Sequence, residues 1–524
     1  MSDVEAQTQT SYSTLPTPPK GLPIVQNLFT RLHKADLAYC HWKSNEHLGA
    51  AVEGLTDLDV LVDQRRASDL QRILAESGFR RFAAPPLRAY PAVEDYLGFD
   101  DGTGHLVHLH LHYQLTLGQR HLKGYRVPWE HQVLARRILD PQYGIYVADP
   151  ATELVLLLVR AALKQRIRDR LRLRSKRRLK GAVADFHREF AWLRERVDDN
   201  AVCETAHGFL GSIADEPLRR LLDDQAISNR LTDFSAAVRP ALRRYRTYGP
   251  LAAPLRAWLR ELQWAADAVN RRYLHRPVPL RRISPRGGTV IVLLGSDGSG
   301  KSSLAKTLVS WLGVKLDVMP IYFGSGDGPS SFYRLPLRLA HRLLSPVIGN
   351  GKKSRSVDDN GLDHQRLWMR VRSSLRAAAL IPWALTLSLE KRGKLRRMTR
   401  ARNRGMIVVC DRFAQADIPG FNDGPLLAHW RRSRWRICRA LAVWEAKPYA
   451  DAKLDPPDLV IKLNVTPEVA LGRRPEMSLE EIRRRVQAVQ SFRFQEPARV
   501  VEIGTDVPLD EVALAAKRLV WDEI

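Results

Sequence analysis

The tightest restriction on the fold comes from the run Thr-Val-Ile-Val-Leu-Leu-Gly-Ser-Asp-Gly-Ser-Gly-Lys-Ser-Ser that begins at Thr289. Val290 to Leu294 is an unbroken apolar stretch rich in branched side chains, which predicts a strand covered on both faces inside a parallel sheet. Gly295, Gly300, Lys301 and Ser302 then fit the spacing G-x-x-x-x-G-K-[ST]. Glycines so placed let successive backbone amides point into one hollow and surround a di- or triphosphate. Ser296, Gly298, Ser299 and Ser303 complete this expected cradle. Lys301 would neutralise the β and γ phosphates, and Ser302 would hold magnesium. Leu304, Leu308, Trp311 and Leu312 recur at helical spacing, so the positive end of a helix dipole faces the same anion. Gly313 is the expected stop of that helix.

A chain of 524 residues exceeds what one core usually organises, which predicts two folded domains and a connecting region. The formal charge of +26 favours contact with phosphates, nucleic acid or anionic headgroups, without choosing among them. Cys40, Cys203, Cys410 and Cys438 are scattered and form no C-x-x-C pair, so they indicate neither a disulfide scaffold nor a zinc site and suit a reducing cytoplasm. Ala377 to Leu389 is the longest uncharged apolar stretch; it is too short to cross a bilayer and reads as a buried helix.

Residues 1–23 are rich in Ser, Thr, Gln and Pro and read as a disordered leader. Within 24–148, an amphipathic helix is expected over Ile24 to Leu37 and another over Ala67 to Ser77, with Leu70, Ile73 and Leu74 on one face. Between them lies Gly54-Leu-Thr-Asp-Leu-Asp-Val-Leu-Val-Asp63. Asp57 and Asp59 stand two apart on a strand pattern, so both carboxylates leave one face while Leu58 and Val60 enter the core. Such a pair can hold the divalent ions of nucleotidyl transfer. Lys43-Ser44, the Gly-x-x-Asp-x-Asp run, the strand and the helix resemble, in that order, the nucleotidyltransferase superfamily of DNA polymerase beta type, over roughly residues 35–115. The resemblance implies a third carboxylate on a later strand. Here that strand reads Leu-Val-His-Leu-His-Leu-His from Leu106, paired through a turn at Asp100 to Gly102 with a strand ending at Phe99. His110 is expected to replace the third acid. His108, His110 and His112 share a face, which would either bind a transition metal or form a satisfied polar surface.

Residues 149–273 read as a basic helical region. Ala151 to Leu163 carries a core stripe of Leu154, Leu157, Leu158 and Ala161. A run of ten Lys and Arg follows from Lys164 to Lys180 and is either a solvated spacer or a surface for nucleic acid or an anionic membrane. Leu218, Leu221 and Leu222, and later Trp258, Leu259, Leu262 and Trp264, are expected in the core. Three prolines and two glycines over 274–288 predict a linker.

In 289–524, a second strand is expected over Val318 to Phe323, then a Gly-Ser turn and a long basic helical insertion to Arg404. Met406 to Cys410 is another buried-strand run and ends in Asp411-Arg412-Phe413. A carboxylate at the carboxyl end of a parallel strand sits beside the phosphate loop and can bind magnesium, while Arg412 can grip an acceptor phosphate. A further strand, Leu459 to Val465, leads through Thr466-Pro467 to a helix. Ser478 and Glu481 form a capping box for the next one. Arg473 and Arg474, between the two, read as a mobile lid. Taken together, these motifs and a closing strand at Val500 to Ile503 resemble thymidylate kinase over about residues 287–524. The resemblance implies ATP and Mg2+ as cofactors and Lys301, Asp411, Arg473 and Arg474 as catalytic groups. Acceptor contacts would fall to Asp297, Arg412 and Phe413, with magnesium on Ser302 and Asp411.

The expected architecture is therefore α/β: a P-loop NTPase parallel sheet with flanking helices at the carboxyl end, an α+β nucleotidyltransferase-like domain at the amino end, and a helical region between. The expected reaction is ATP-dependent phosphoryl transfer to a nucleoside monophosphate, dTMP to dTDP. The segment after Phe413, Ala-Gln-Ala-Asp-Ile-Pro-Gly, lacks the thymine-orienting signature. The alternatives are thus another acceptor, such as a sugar or glycan intermediate, or a nucleotide-sensing protein that binds nucleic acid or membrane. A homodimer remains open.

Overall fold

The computed structural model describes residues 20–119, 121–164, 182–223, 227–324, 362–417 and 424–524. Most of the expected leader, the basic run from Arg166 to Lys180 and most of the Gly-Ser turn lie outside them. The chain divides into two compact α/β units, Met1–Pro285 and Arg286–Ile524. Among the described residues no helix is long and apolar enough to cross a membrane, and all four cysteines are free thiols.

The first unit is built on a mixed seven-stranded sheet. Its strands are β1 (Tyr39–His41), β2 (Asp57–Val62), β3 (Arg80–Phe82), β4 (Val93–Phe99), β5 (Leu106–His112), β8 (Arg137–Asp140) and β9 (Ile145–Ala148), in the order β3-β4-β5-β2-β1-β9-β8. A separate ribbon pairs β6 (Leu115–Leu117) with β7 (Tyr125–Val127). Period-two alternation decides what each face carries. Leu58, Val60 and Val62 of β2 and Val107, Leu109 and Leu111 of β5 bury one face against the helices Pro23–Lys34 and Ala67–Glu76, which contribute Leu28, Phe29, Leu70 and Leu74. Asp57, Asp59 and the three histidines are thereby left on the opposite face.

A second core surrounds the helix Pro150–Lys164, whose Leu154, Leu156 and Leu158 pack with Phe190, Leu218, Leu221 and Phe234. The Asp149 carboxylate caps that helix by accepting bonds from the amides of Ala151 and Thr152, both at 3.1 Å. The expectation for the later helix fails. On Ala252–Tyr273, Trp258, Leu259 and Leu262 are 57%, 49% and 48% exposed. Leu255, Trp258, Leu259 and Leu262 fall along one side of that helix and are exposed, and only Ala257 is buried. The expected linker also departs from a free strap. Ile283 exchanges two backbone hydrogen bonds with Ala83, each 2.9 Å, and Arg282 binds Asp95.

The second unit holds a five-stranded sheet, parallel throughout: β10 (Val290–Gly295), β11 (Val318–Tyr322), β12 (Ile407–Asp411), β13 (Leu459–Asn464) and β14 (Arg499–Gly504), ordered β11-β12-β10-β13-β14. Central β10 and β12 are wholly buried, which accounts for their continuous apolar sequence. The helix Lys301–Lys315 follows β10 and passes through Gly313, two residues beyond the expected stop. The helix Leu362–Asn403 precedes β12 and buries Ala384 and Leu387 within the expected apolar stretch, whereas Leu389 is exposed.

Two glycines test this packing in opposite senses. A Cβ on Gly288 would lie 2.0 Å from the carbonyl oxygen of Met406, while one on Gly313 meets nothing within 4 Å. In urea unfolding of the second unit, Gly288→Ala is expected to lose about 1–3 kcal/mol through the backbone clash. Gly313→Ala should gain about 0.5–1 kcal/mol through helix propensity.

Candidate functional site

β10 ends at Gly295, and the chain turns through Ser296 to Gly300 before the helix Lys301–Lys315 begins. Gly298 and Gly300 hold φ of +86° and +81°, values that an L side chain rarely adopts. This twist curls the loop over the end of the sheet. Lys301 is buried and its Nζ donates 2.5 Å to the Ser296 carbonyl. Burial first, then the nearby Arg412 charge, pushes the Lys301 ammonium down to about 8. Among the described residues, the buried hydroxyls of Ser296 and Ser299 have no hydrogen-bond partner.

Parallel pairing sets Asp411, the last residue of β12, beside Leu293 of β10. The Ser302 hydroxyl donates 2.7 Å to one carboxylate oxygen of Asp411, and the other oxygen is buried with no hydrogen-bond partner among the described residues. Hard oxygen donors of this kind, one of them unsatisfied, fit magnesium. Arg412 turns out of the strand with φ +68°, while its amide donates 3.0 Å to Leu293. A left-handed arginine costs about 1–3 kcal/mol, and here the turn aims the guanidinium back at the loop, 3.2 Å from Asp297.

Asp297 receives a second guanidinium, that of Arg485, which is tied in turn to Glu481 at 2.6 Å. Burial opposes ionisation of Asp297, but the charges of Lys301, Arg412 and Arg485 outweigh it and hold the carboxyl below its usual range. Arg485 is not among the residues expected from sequence. It stands third in the run Arg483-Arg484-Arg485, and only the buried Ile482 and Val489 of the helix Leu479–Ser491 indicate which arginine turns inward.

Asp297, Gly298, Gly300, Lys301, Ser302, Ser303, Asp411, Arg412, Arg473 and Arg474 line one cleft of about 1040 Å³. Phe413 lies behind it, buried, 5.5 Å from the Phe323 ring and 6.1 Å from that of Phe494. The two arginines expected to form a lid differ. Arg473 donates to the carbonyls of Gly298 at 3.2 Å and Thr505 at 3.0 Å, whereas Arg474 pairs with Glu476 at 3.2 Å. Thr466 does not cap its helix with its side chain. The Ser478 hydroxyl accepts from the Glu481 amide at 3.3 Å, and the Glu481 carboxylate binds Arg485 instead of returning to Ser478.

In the first unit the expected carboxylate pair does not present two open acids. Asp57 faces His108 Nδ1 at 2.8 Å and Arg282 at 3.9 Å. Asp59 faces Lys43 Nζ at 2.8 Å, His110 Nδ1 at 2.9 Å and His112 Nε2 at 3.2 Å. An acid that sequence reading passed over, Asp95 on β4, accepts from His108 at 2.7 Å and Arg282 at 2.6 Å. Burial works against its charge, but those two partners hold it well below the carboxylate range. His112 is pushed down to about 3, chiefly by burial. Both carboxylates of the Asp57–Asp59 pair are thus engaged by nitrogen groups.

No family model matches the chain. It is 29% identical over 234 residues to the protein described as "Uncharacterized ATP-binding protein YghR" of Escherichia coli strain K12, a match that covers 44% of this chain and 86% of the relative. It is 27% identical over 235 residues to "Uncharacterized ATP-binding protein YghS" of the same strain, covering 44% of this chain and 92% of that relative.

Proposed function

We propose that the unit Arg286–Ile524 binds ATP with magnesium and transfers the γ-phosphoryl group to a small phosphorylated acceptor, with the conversion of dTMP to dTDP as the first case to test. The carrying observation is the convergence of Lys301, the Ser302–Asp411 pair and the Asp297–Arg412–Arg485 cluster on one cleft. The ATP binding named for the two bacterial relatives supports the donor.

The loop amides and the positive end of the helix Lys301–Lys315 surround the phosphates. Lys301 leaves the Ser296 carbonyl to meet a phosphate oxygen. Ser302 and Asp411 would hold magnesium, which when bound spreads the negative charge of the β and γ oxygens. Arg412 and Arg485 share Asp297 and present planar forks suited to an acceptor phosphate, which would hold the acceptor oxygen in line with the γ phosphorus. Arg474, paired with Glu476, can swing onto the transferring group, while Arg473 braces the loop. Nothing in these forks selects a base, so a phosphorylated sugar or glycan intermediate suits the same geometry. The nucleic-acid or membrane reading depends on the basic run outside the described residues.

Three outcomes test this reading. ADP release measured across a panel of phosphorylated acceptors should rise with at least one of them and fall about 100-fold or more in Lys301→Ala; ADP formation indifferent to every acceptor would sink the proposal. Arg485→Ala should raise the acceptor KM by about 10- to 100-fold with little change in that for ATP. Because burial and the Arg412 charge push the Lys301 ammonium down to about 8, phosphate binding at higher pH must take up a proton. ATP affinity, followed by calorimetry, should hold steady below that pH and weaken by up to about tenfold per unit above it. Lys301→Met should lose this alkaline decline.

A further inference from the structure

On the polar face of the sheet in the first unit, three nitrogens meet a single oxygen. Asp59 Oδ1 lies 2.8 Å from Lys43 Nζ, 2.9 Å from His110 Nδ1 and 3.2 Å from His112 Nε2. A carboxylate oxygen accepts about two well-directed hydrogen bonds, so this one is oversubscribed. The backbone imposes the crowding: parallel pairing sets Asp59 directly beside His110, and alternation brings His112 to the same face one pleat further on. His108 is drawn away by Asp57 and Asp95, which leaves two imidazoles and one carboxylate as a distinct group.

We propose that Asp59, His110 and His112 form a site for a borderline divalent transition metal such as zinc, cobalt or nickel. One ligand atom from each of the three lies within 4.8 Å of the others. The two separations from Asp59 Oδ1, 2.9 and 3.2 Å, match the edge of about 3.0–3.4 Å expected when bonds of about 2.1 Å share one ion. Two neutral imidazole nitrogens favour such an ion over magnesium, which prefers an all-oxygen shell. His112 and Asp59 are buried and held by strand pairing, so the ligands are preorganised. His110 is 23% exposed at its side chain and opens a route from solvent. Lys43, on a flexible stem at the loop after β1, occupies the cationic position at Asp59 and is displaced when the ion enters. With three protein ligands, the ion keeps coordination positions for water or an anion.

The test uses the full chain, stripped with chelator and titrated with cobalt(II). One ion per chain should bind and produce the visible ligand-field absorption of imidazole-bound cobalt, and zinc should displace it. His110→Ala and Asp59→Asn should each weaken binding by at least about 100-fold and remove the absorption, with circular dichroism checking the fold. Lys43→Met should tighten binding, because the competing ammonium is gone. His207→Ala, at a surface pair with Asp215, should bind as the unaltered chain does. Absence of the absorption in the unaltered chain would overturn the proposal, as would equal binding in folded His110→Ala. Loss of binding in His207→Ala would place the metal elsewhere and overturn it too.

Discussion

The hydrogen bond from Ser302 to Asp411 joins residues 109 positions apart, and the cleft of the second unit depends on it. It forms because β10 and β12 pair in parallel with Leu293 beside Asp411. Parallel strands cannot be joined by a tight turn, so the chain must leave and return through a long connection, here containing β11 and the helix Leu362–Asn403. The register then delivers three features to the same end of the sheet: the glycine-rich loop after β10, the acid at the end of β12 and the left-handed turn at Arg412. A shift of one residue in β12 would turn Asp411 to the other face of the sheet.

The first unit obeys the other periodicity. Adjacent β2 and β5 each place aliphatic residues against the helices and titratable ones on the reverse face. Burying so many polar groups is tolerable because almost every charge has an opposite partner: Asp57 and Asp95 share His108 and Arg282, and Asp59 has Lys43. Nitrogen partners thus fill the ground that a bare pair of acids would leave to hard metal ions. The two units therefore use acids differently. In one, Asp411 keeps an oxygen without a partner among the described residues; in the other, the acids are enclosed by bases.

Much of the fold was legible in the chain. Buried strands declare themselves by unbroken branched apolar runs, and β10, β12 and β13 lie within a residue or so of their expected limits. The turn between β10 and its helix was equally plain, because its glycines stand where the backbone takes positive φ, at Gly298 and Gly300. Expectations failed where the signal was only local. Gly313 looked like a helix stop, yet the helix continues, since a single glycine costs less than the packing of Leu308 and Leu312 returns. Trp258 and Leu262 looked like core, yet hydrophobicity alone does not say that another element will cover them.

Sequence by itself determined the α/β class, the strand-loop-helix around Lys301, the acids at the end of β12 and on β2, and the shared face of the three histidines. Each of these follows from a local period or a fixed spacing. Tertiary structure alone decided the partners. It chose Arg485 from three consecutive arginines, gave Asp95 and Arg282 to His108, turned Arg473 onto the loop backbone and gathered His110 and His112 about Asp59. The reason is physical: a guanidinium, carboxylate or imidazole takes its role from charges within a few ångströms, and those charges come from segments tens to hundreds of residues away.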